Sequence, residues 1–137
     1  MTVYLDTSVL MSLFQTDKHT ERASAWIEGV DAFVMSSWTL TEFSSALAVK
    51  TRMRNLRDRD RREFELQLDQ WLRGRVVLSV LDGDMVDARR LVRNDVRLRA
   101  PDALHIALAA RHGCVVATLD EDMAAVGRDI GLTVIVP

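Results

Sequence analysis

Cysteine occurs once in these 137 residues, at Cys114, so no internal disulfide can form. That residue stands in an apolar, strand-like run with Val115 and Val116, where a packed thiol is expected rather than a nucleophile. No apolar run approaches the roughly 20 residues of a membrane span, and no basic region precedes a secretory apolar stretch at the N-terminus. These absences point to a cytoplasmic protein without membrane contact. Internal repeats, low-complexity tracts and linkers are also missing. Hydrophobic residues at 48% and charged residues at 28% are ordinary globular values, so the chain reads as one domain, residues 1–137, with a single core.

Positive charge is not in excess, since the net charge is −2, but it is unevenly placed. Residues 50–75 hold nine basic side chains (Lys50, Arg52, Arg54, Arg57, Arg59, Arg61, Arg62, Arg73 and Arg75) against five acids, a local +4 that leaves −6 elsewhere. Two readings are open. One is a surface that holds a phosphate backbone while cations are held elsewhere; the other is a solvated helical face laced with Glu/Arg pairs.

The chain opens on Val3-Tyr4-Leu5, β-branched and aromatic, too short for a helix and bounded by polar residues, which predicts a buried strand. Asp6 then stands at its C-terminal end, with Thr7 or Ser8 expected to cap a helix through Val9, Leu10, Leu13 and Phe14. Further strands are predicted at residues 32–35, 76–81, 115–118 and 132–136. Between them, Trp26 and Ile27, then Leu40, Phe43 and Leu47, then Phe64, Leu68 and Trp71 mark apolar helical faces. The third helix is placed from Thr39 to about Arg52, with Glu42 in its first turn. Asp82-Gly83-Asp84 reads as a turn and cap, and Pro101 opens a helix apolar nearly all round. Strands separated by helices imply an α/β fold with a parallel sheet covered on both faces, where ligands bind beyond the carboxyl ends of the strands.

Four acids share that address. Asp6 and Asp120 each follow a strand, with Asp122 a rival for the second, while Glu42 and Asp102 are placed at helix starts near strand ends. Each has a bland reading as a cap or a dipole partner. Asp102 resists it, because a charge on an apolar helix is rarely buried unless it is paired or binds a cation. If the four converge, their repulsion calls for a divalent ion, and oxygen ligands without clustered histidines or thiolates select Mg²⁺, or Mn²⁺, over zinc. His105 shares the helix face of Asp102 and is either a proton carrier or ligand, or a packed histidine bonded to backbone. Among the tryptophans, Trp26 and Trp71 fall on apolar faces, and Trp38 is the candidate for contact with a base.

These residues carry a resemblance. Val3-Tyr4-Leu5-Asp6-Thr7-Ser8, Leu40-Thr41-Glu42-Phe43, Arg99-Ala100-Pro101-Asp102-Ala103-Leu104-His105-Ile106-Ala107 and Thr118-Leu119-Asp120 together resemble the PIN-domain ribonucleases, and within them the VapC-type toxins of toxin-antitoxin pairs. The resemblance implies a three-layer α/β/α fold with a five-stranded parallel sheet and Mg²⁺-dependent cleavage of RNA. It also implies a homodimer and a small VapB-type antitoxin that covers the cleft. Asp6, Glu42, Asp102 and Asp120 match the family's metal-binding, catalytic acids, Ser8 a hydroxyl near the metal, and Thr118 the hydroxyl before the fourth acid. Arg52, Arg54, Arg57, Arg59, Arg61, Arg62 and Trp38 are the candidates for RNA contact. Two other classes remain: a phosphoryl-transfer domain using Asp6 as nucleophile, and a non-catalytic module that binds RNA or protein through the arginine-rich segment.

Overall fold

The computed structural model describes residues 1–137. Strand β1 (Val3–Leu5) leads into α1 (Thr7–Phe14) and α2 (Thr20–Glu28), and β2 (Phe33–Ser36) into α3 (Ser37–Arg52) and α4 (Asp58–Trp71). Then come β3 (Val77–Leu78), α5 (Asp82–Asn94), α6 (Ala100–Arg111), β4 (Val115–Ala117), α7 (Glu121–Asp129) and β5 (Val134–Ile135). The strands form one sheet in the order β3-β2-β1-β4-β5, every pair parallel.

Alternation along the strands divides the core in two. Tyr4, Val34 and Val116 pack with the buried side chains of α5, α6 and α7, while Val3, Leu5, Met35, Val115 and Ala117 pack with those of α1, α3 and α4. Helices therefore cover both faces, the three-layer PIN-like arrangement. The central strands are buried on both sides and so read as unbroken apolar runs. α6 is the deepest helix, with residues 103–109 buried throughout.

The topology fixes where a site can form. Chain connections after β1 run over one face and those after β4 over the other, so neighbouring β1 and β4 form the switch point of the sheet. In open α/β sheets a crevice opens there, at the carboxyl ends of the strands. The Asp6 N–H donates to the Ala117 carbonyl (3.1 Å), so the residues that follow both strands meet at that end.

Several local expectations are corrected. Asp6 itself caps α1, its carboxylate accepting from the Val9 N–H, in place of Thr7 or Ser8. Helix α3 starts at Ser37 because Ser36 and Thr39 form a reciprocal capping box, which moves Glu42 from the first turn to the second. β3 has two residues rather than six: an edge strand pairs on one side only, and here just Val77 and Leu78 pair with β2. β5 is shortened in the same way, and Asp82, Gly83 and Asp84 are the first turn of α5 itself.

Candidate active site

Asp6 is 4% exposed and stands at the β1/β4 switch point. One carboxylate oxygen, Oδ1, accepts from Ser8 Oγ (2.6 Å) and the Val9 N–H (3.0 Å); Oδ2 accepts from Thr118 Oγ1 (2.5 Å). Those hydroxyls tie the two strand ends together, since Ser8 Oγ accepts from the Leu119 N–H and Thr118 Oγ1 from the Asp120 N–H. No cationic side chain bonds Asp6. Burial pushes its pKa above the usual carboxylate range despite the three hydrogen bonds that oppose it.

Glu42 is held from the other side of the cleft. Its Oε1 accepts from Thr7 Oγ1 (2.8 Å) and is bonded by His105 Nε2. Burial alone would raise its pKa, but the His105 and Thr7 hydrogen bonds outweigh it and hold the carboxyl below its ordinary value. His105 is buried, and its other ring nitrogen, Nδ1, lies 2.7 Å from Tyr4 Oη. The backbone partner expected for this histidine is replaced by three side chains, Tyr4, Thr7 and Glu42. Burial also keeps the Tyr4 phenol protonated far into the alkaline range.

Asp102 and Asp120 share one arginine. Arg99 Nε stands 3.2 Å from Asp102 Oδ2, and its Nη2 stands 3.9 Å from Asp120 Oδ2. Asp102 is the partnered charge that its apolar helix required. Its pKa is still raised, first by burial and then by the neighbouring Asp120, because Arg99 is 75% exposed and screened by solvent. Asp120 caps α7 through the Met123 N–H (2.8 Å), whereas Asp122 is exposed on the first turn, so Asp120 is the acid that faces Asp102.

The donor chemistry at this end fits a hard divalent cation. All four acids offer oxygen only, and each keeps an uncommitted lone pair: one on Asp6 Oδ2, and the second oxygens of Glu42 and Asp102, with Asp120 Oδ2 held only at long range by Arg99. No three His, Cys, Asp or Glu side chains stand close enough together here to form a ligand group.

The remaining candidates make no hydrogen bond or ion pair with the four acids. Arg57 pairs with Asp60, and Arg61 and Arg62 with Asp58, at helical spacing along α4, while Arg52, Arg54 and Arg59 make no ion pair. Trp38 donates from Nε1 to the Pro101 carbonyl (3.3 Å) and lines a groove of about 640 Å³ between α3, α5 and α6 that contains none of the four acids. Sequence reasoning overlooked Thr7, Arg99 and Tyr4 as parts of the site. Thr7 and Arg99 sit inside the quoted segments, so their adjacency to the acids was the available signal; for Tyr4 there was none.

Comparison with known proteins places this geometry. The PIN domain family matches residues 3–129. VapC20 from Mycobacterium tuberculosis, a sarcin-ricin-loop-cleaving toxin, shares the fold with TM-score 0.74 and 20% identity over 98% of this chain and 99% of that one. DNA-bound VapBC from Salmonella typhimurium aligns at TM-score 0.71 and 14% identity over 98% and 97% of the two chains. For FitAcB from Neisseria gonorrhoeae the values are 0.69 and 19% over 98% and 97%. No curated protein matches the chain.

Proposed function

The chain belongs to the PIN-domain family, and on that premise we propose that it is a metal-dependent endoribonuclease, the toxin of a VapBC-type toxin-antitoxin pair. The observation that carries this reading is Asp6, a buried carboxylate at the switch point with no cationic side chain bonded to it and three further acids around the same strand ends. Solved proteins of the same fold include a toxin that cleaves the sarcin-ricin loop and DNA-bound VapBC and FitAB assemblies. They support an RNA substrate and an antitoxin partner; we further propose that the antitoxin covers the cleft and that the protein is a cytoplasmic homodimer.

Asp6, Glu42, Asp102 and Asp120 would hold Mg²⁺, with Mn²⁺ as a substitute. When bound, the ion supplies positive charge to the scissile phosphate and lowers the pKa of the attacking water. The protein's own part is positioning. Ser8 and Thr118 lock the Asp6 carboxylate, Thr7 and His105 fix one oxygen of Glu42, and Arg99 stands at the rim where its guanidinium can meet an incoming phosphate. No side chain attacks the phosphate. Asp6 in particular is too enclosed, with three hydrogen bonds and 4% exposure, to serve as a nucleophile.

Incubating total RNA with the protein in Mg²⁺, with and without EDTA, tests the reading. Cleavage that requires the metal and disappears in Asp6→Asn is expected. RNA left intact under all conditions, but bound through Arg52, Arg54 and Arg59, would favour the non-catalytic module instead.

A further inference from the structure

Behind Glu42 a line of hydrogen bonds runs into the core: Ser36 Oγ to Tyr4 Oη at 2.8 Å, Tyr4 Oη to His105 Nδ1 at 2.7 Å, and His105 Nε2 to Glu42 Oε1. Donor accounting along it leaves little freedom. Thr7 Oγ1 gives its proton to Glu42 Oε1, so it has none for His105 Nε2, which lies 3.2 Å away. Nε2 faces a carboxylate oxygen that can only accept, so the ring hydrogen belongs on Nε2. Nδ1 is then bare and needs a donor, and the Tyr4 hydroxyl is the one within reach. At the far end Thr39 Oγ1 donates to the Leu5 carbonyl, and with the single Tyr4 hydrogen spent on Nδ1, Tyr4 Oη accepts from Ser36 Oγ at their short contact.

We propose that His105 is held from both sides as the tautomer with hydrogen on Nε2, by the Glu42 carboxylate that accepts from Nε2 and the Tyr4 hydroxyl that donates to Nδ1, and that this locked imidazole sets the orientation of Glu42. Tyr4 and His105 are thus positioning residues for an acid of the site. For a neutral ring the tautomer follows from these contacts, while its consequence rests on the reading of Glu42 given under Proposed function. A ring whose second nitrogen is tied to a core phenol cannot flip or change tautomer without breaking a buried hydrogen bond. That separates His105 from a histidine that merely fills space.

The test is ¹⁵N-histidine NMR of the metal-free protein, with His105→Gln to assign the resonance against His19 and His112. His105 is expected to carry hydrogen on Nε2 alone. In Tyr4→Phe, where Ser36 Oγ can turn to Thr39 Oγ1 (3.2 Å) and the fold is kept, the resonance should move toward a mixture of tautomers. Mn²⁺ titration, read by paramagnetic broadening, should weaken on the order of ten- to hundredfold in the same variant. His105→Gln, which retains an N–H near the Nε2 position, should bind Mn²⁺ more tightly than His105→Leu. Hydrogen on Nδ1 or on both nitrogens in the wild type overturns the inference, as does Tyr4→Phe with unchanged Mn²⁺ affinity. Should the wild type cut no RNA, the nuclease reading fails, while the spectrum and the titration still decide this one.

Discussion

Asp6, the N-cap of α1, and Asp84, in the first turn of α5, are two buried aspartates at the starts of helices that cover opposite faces of the sheet, and they are served in opposite ways. Asp84, 1% exposed, reaches back to the Leu81 N–H and takes a two-armed ion pair from Arg111, whose Nε and Nη2 lie 2.6 and 2.9 Å away. Burial alone would raise its pKa, but the Arg111 hydrogen bonds, the Leu81 N–H and the nearby positive charge outweigh it and hold the carboxyl low. Asp6 has the same number of protein donors in kind, two hydroxyls and one N–H, but no positive charge among them, and its pKa is raised. Hydrogen bonds satisfy lone pairs; they do not neutralise a buried charge. A buried carboxylate with a counter-charge is accounted for by the scaffold, and one without it is a candidate functional group.

The comparison breaks most visibly through substitution. Asp6→Asn should lower RNA cleavage by more than the ten- to hundredfold typical of losing an outer partner, about two orders of magnitude or greater. Its metal-free fold should be at least as stable as the wild type, because the amide oxygen still accepts from Ser8 and Val9 while the amide N–H can donate to Thr118 Oγ1. Asp84→Asn should do the reverse, costing about 2 kcal/mol in urea unfolding through lost charge-assisted hydrogen bonds and leaving the folded fraction active. An unfolded Asp6→Asn, or an inactive but folded Asp84→Asn, would erase the distinction. Mg²⁺ at about a hundred times its Kd should stabilise both the wild type and Asp84→Asn by about 2.7 kcal/mol, and Asp6→Asn hardly at all, as thermal melts with and without EDTA would show.

Acid should separate the two residues by sign. The Asp84 carboxyl has a lower pKa folded than unfolded, so its contribution is complete above the unfolded value of about 3.9 and is lost as pH falls through the folded one. For Asp6 the folded value is the higher, so its contribution is present below about 3.9 and is lost as pH rises through the folded value. In metal-free buffer, lowering the pH from 7 to 4 should therefore improve the wild type relative to Asp6→Asn. Further acidification should shrink its advantage over Asp84→Asn.

Much of this contrast was written in the chain, but not all of it. Asp6 was legible because a three-residue strand ending on an acid places that acid at the carboxyl edge of any parallel sheet. Asp120 was legible for the same reason, and the apolar surroundings of Asp102 announced that it needed a partner. Glu42 was expected in the first turn of α3 and stands in the second, since the capping Ser36 lies three residues before Thr39, the residue taken as the first of the helix. What separates Asp6 from Asp84 was invisible, because Arg111 lies 27 residues beyond its partner and only the packing of α6 against α5 brings them together. Tyr4 and His105 are 101 residues apart, and their bond depends on sheet order, which local pattern does not encode. In the arginine-rich segment, acids at i,i+3 and i,i+4 spacing pair with three of the six arginines offered for RNA, the local pairing that the sequence pattern also allowed.

The smallest effect concerns the two arginines that serve these acids. Arg111 is fixed by two bonds to a buried carboxylate, whereas Arg99 is 75% exposed and spans Asp102 and Asp120 at 3.2 and 3.9 Å. Exposed pairs of that kind add little to stability, so Arg99→Ala should melt like the wild type. Arg99 nevertheless stands against Asp102 Oδ2 and Asp120 Oδ2, oxygens that the proposed metal ion would also draw on. Its removal should leave Mg²⁺ affinity equal or slightly tighter while the KM for RNA rises about two- to fivefold, since a phosphate loses its contact at the rim. A fall in kcat at constant KM would instead assign Arg99 to charge that develops only during cleavage, and would place it with the acids rather than beside them.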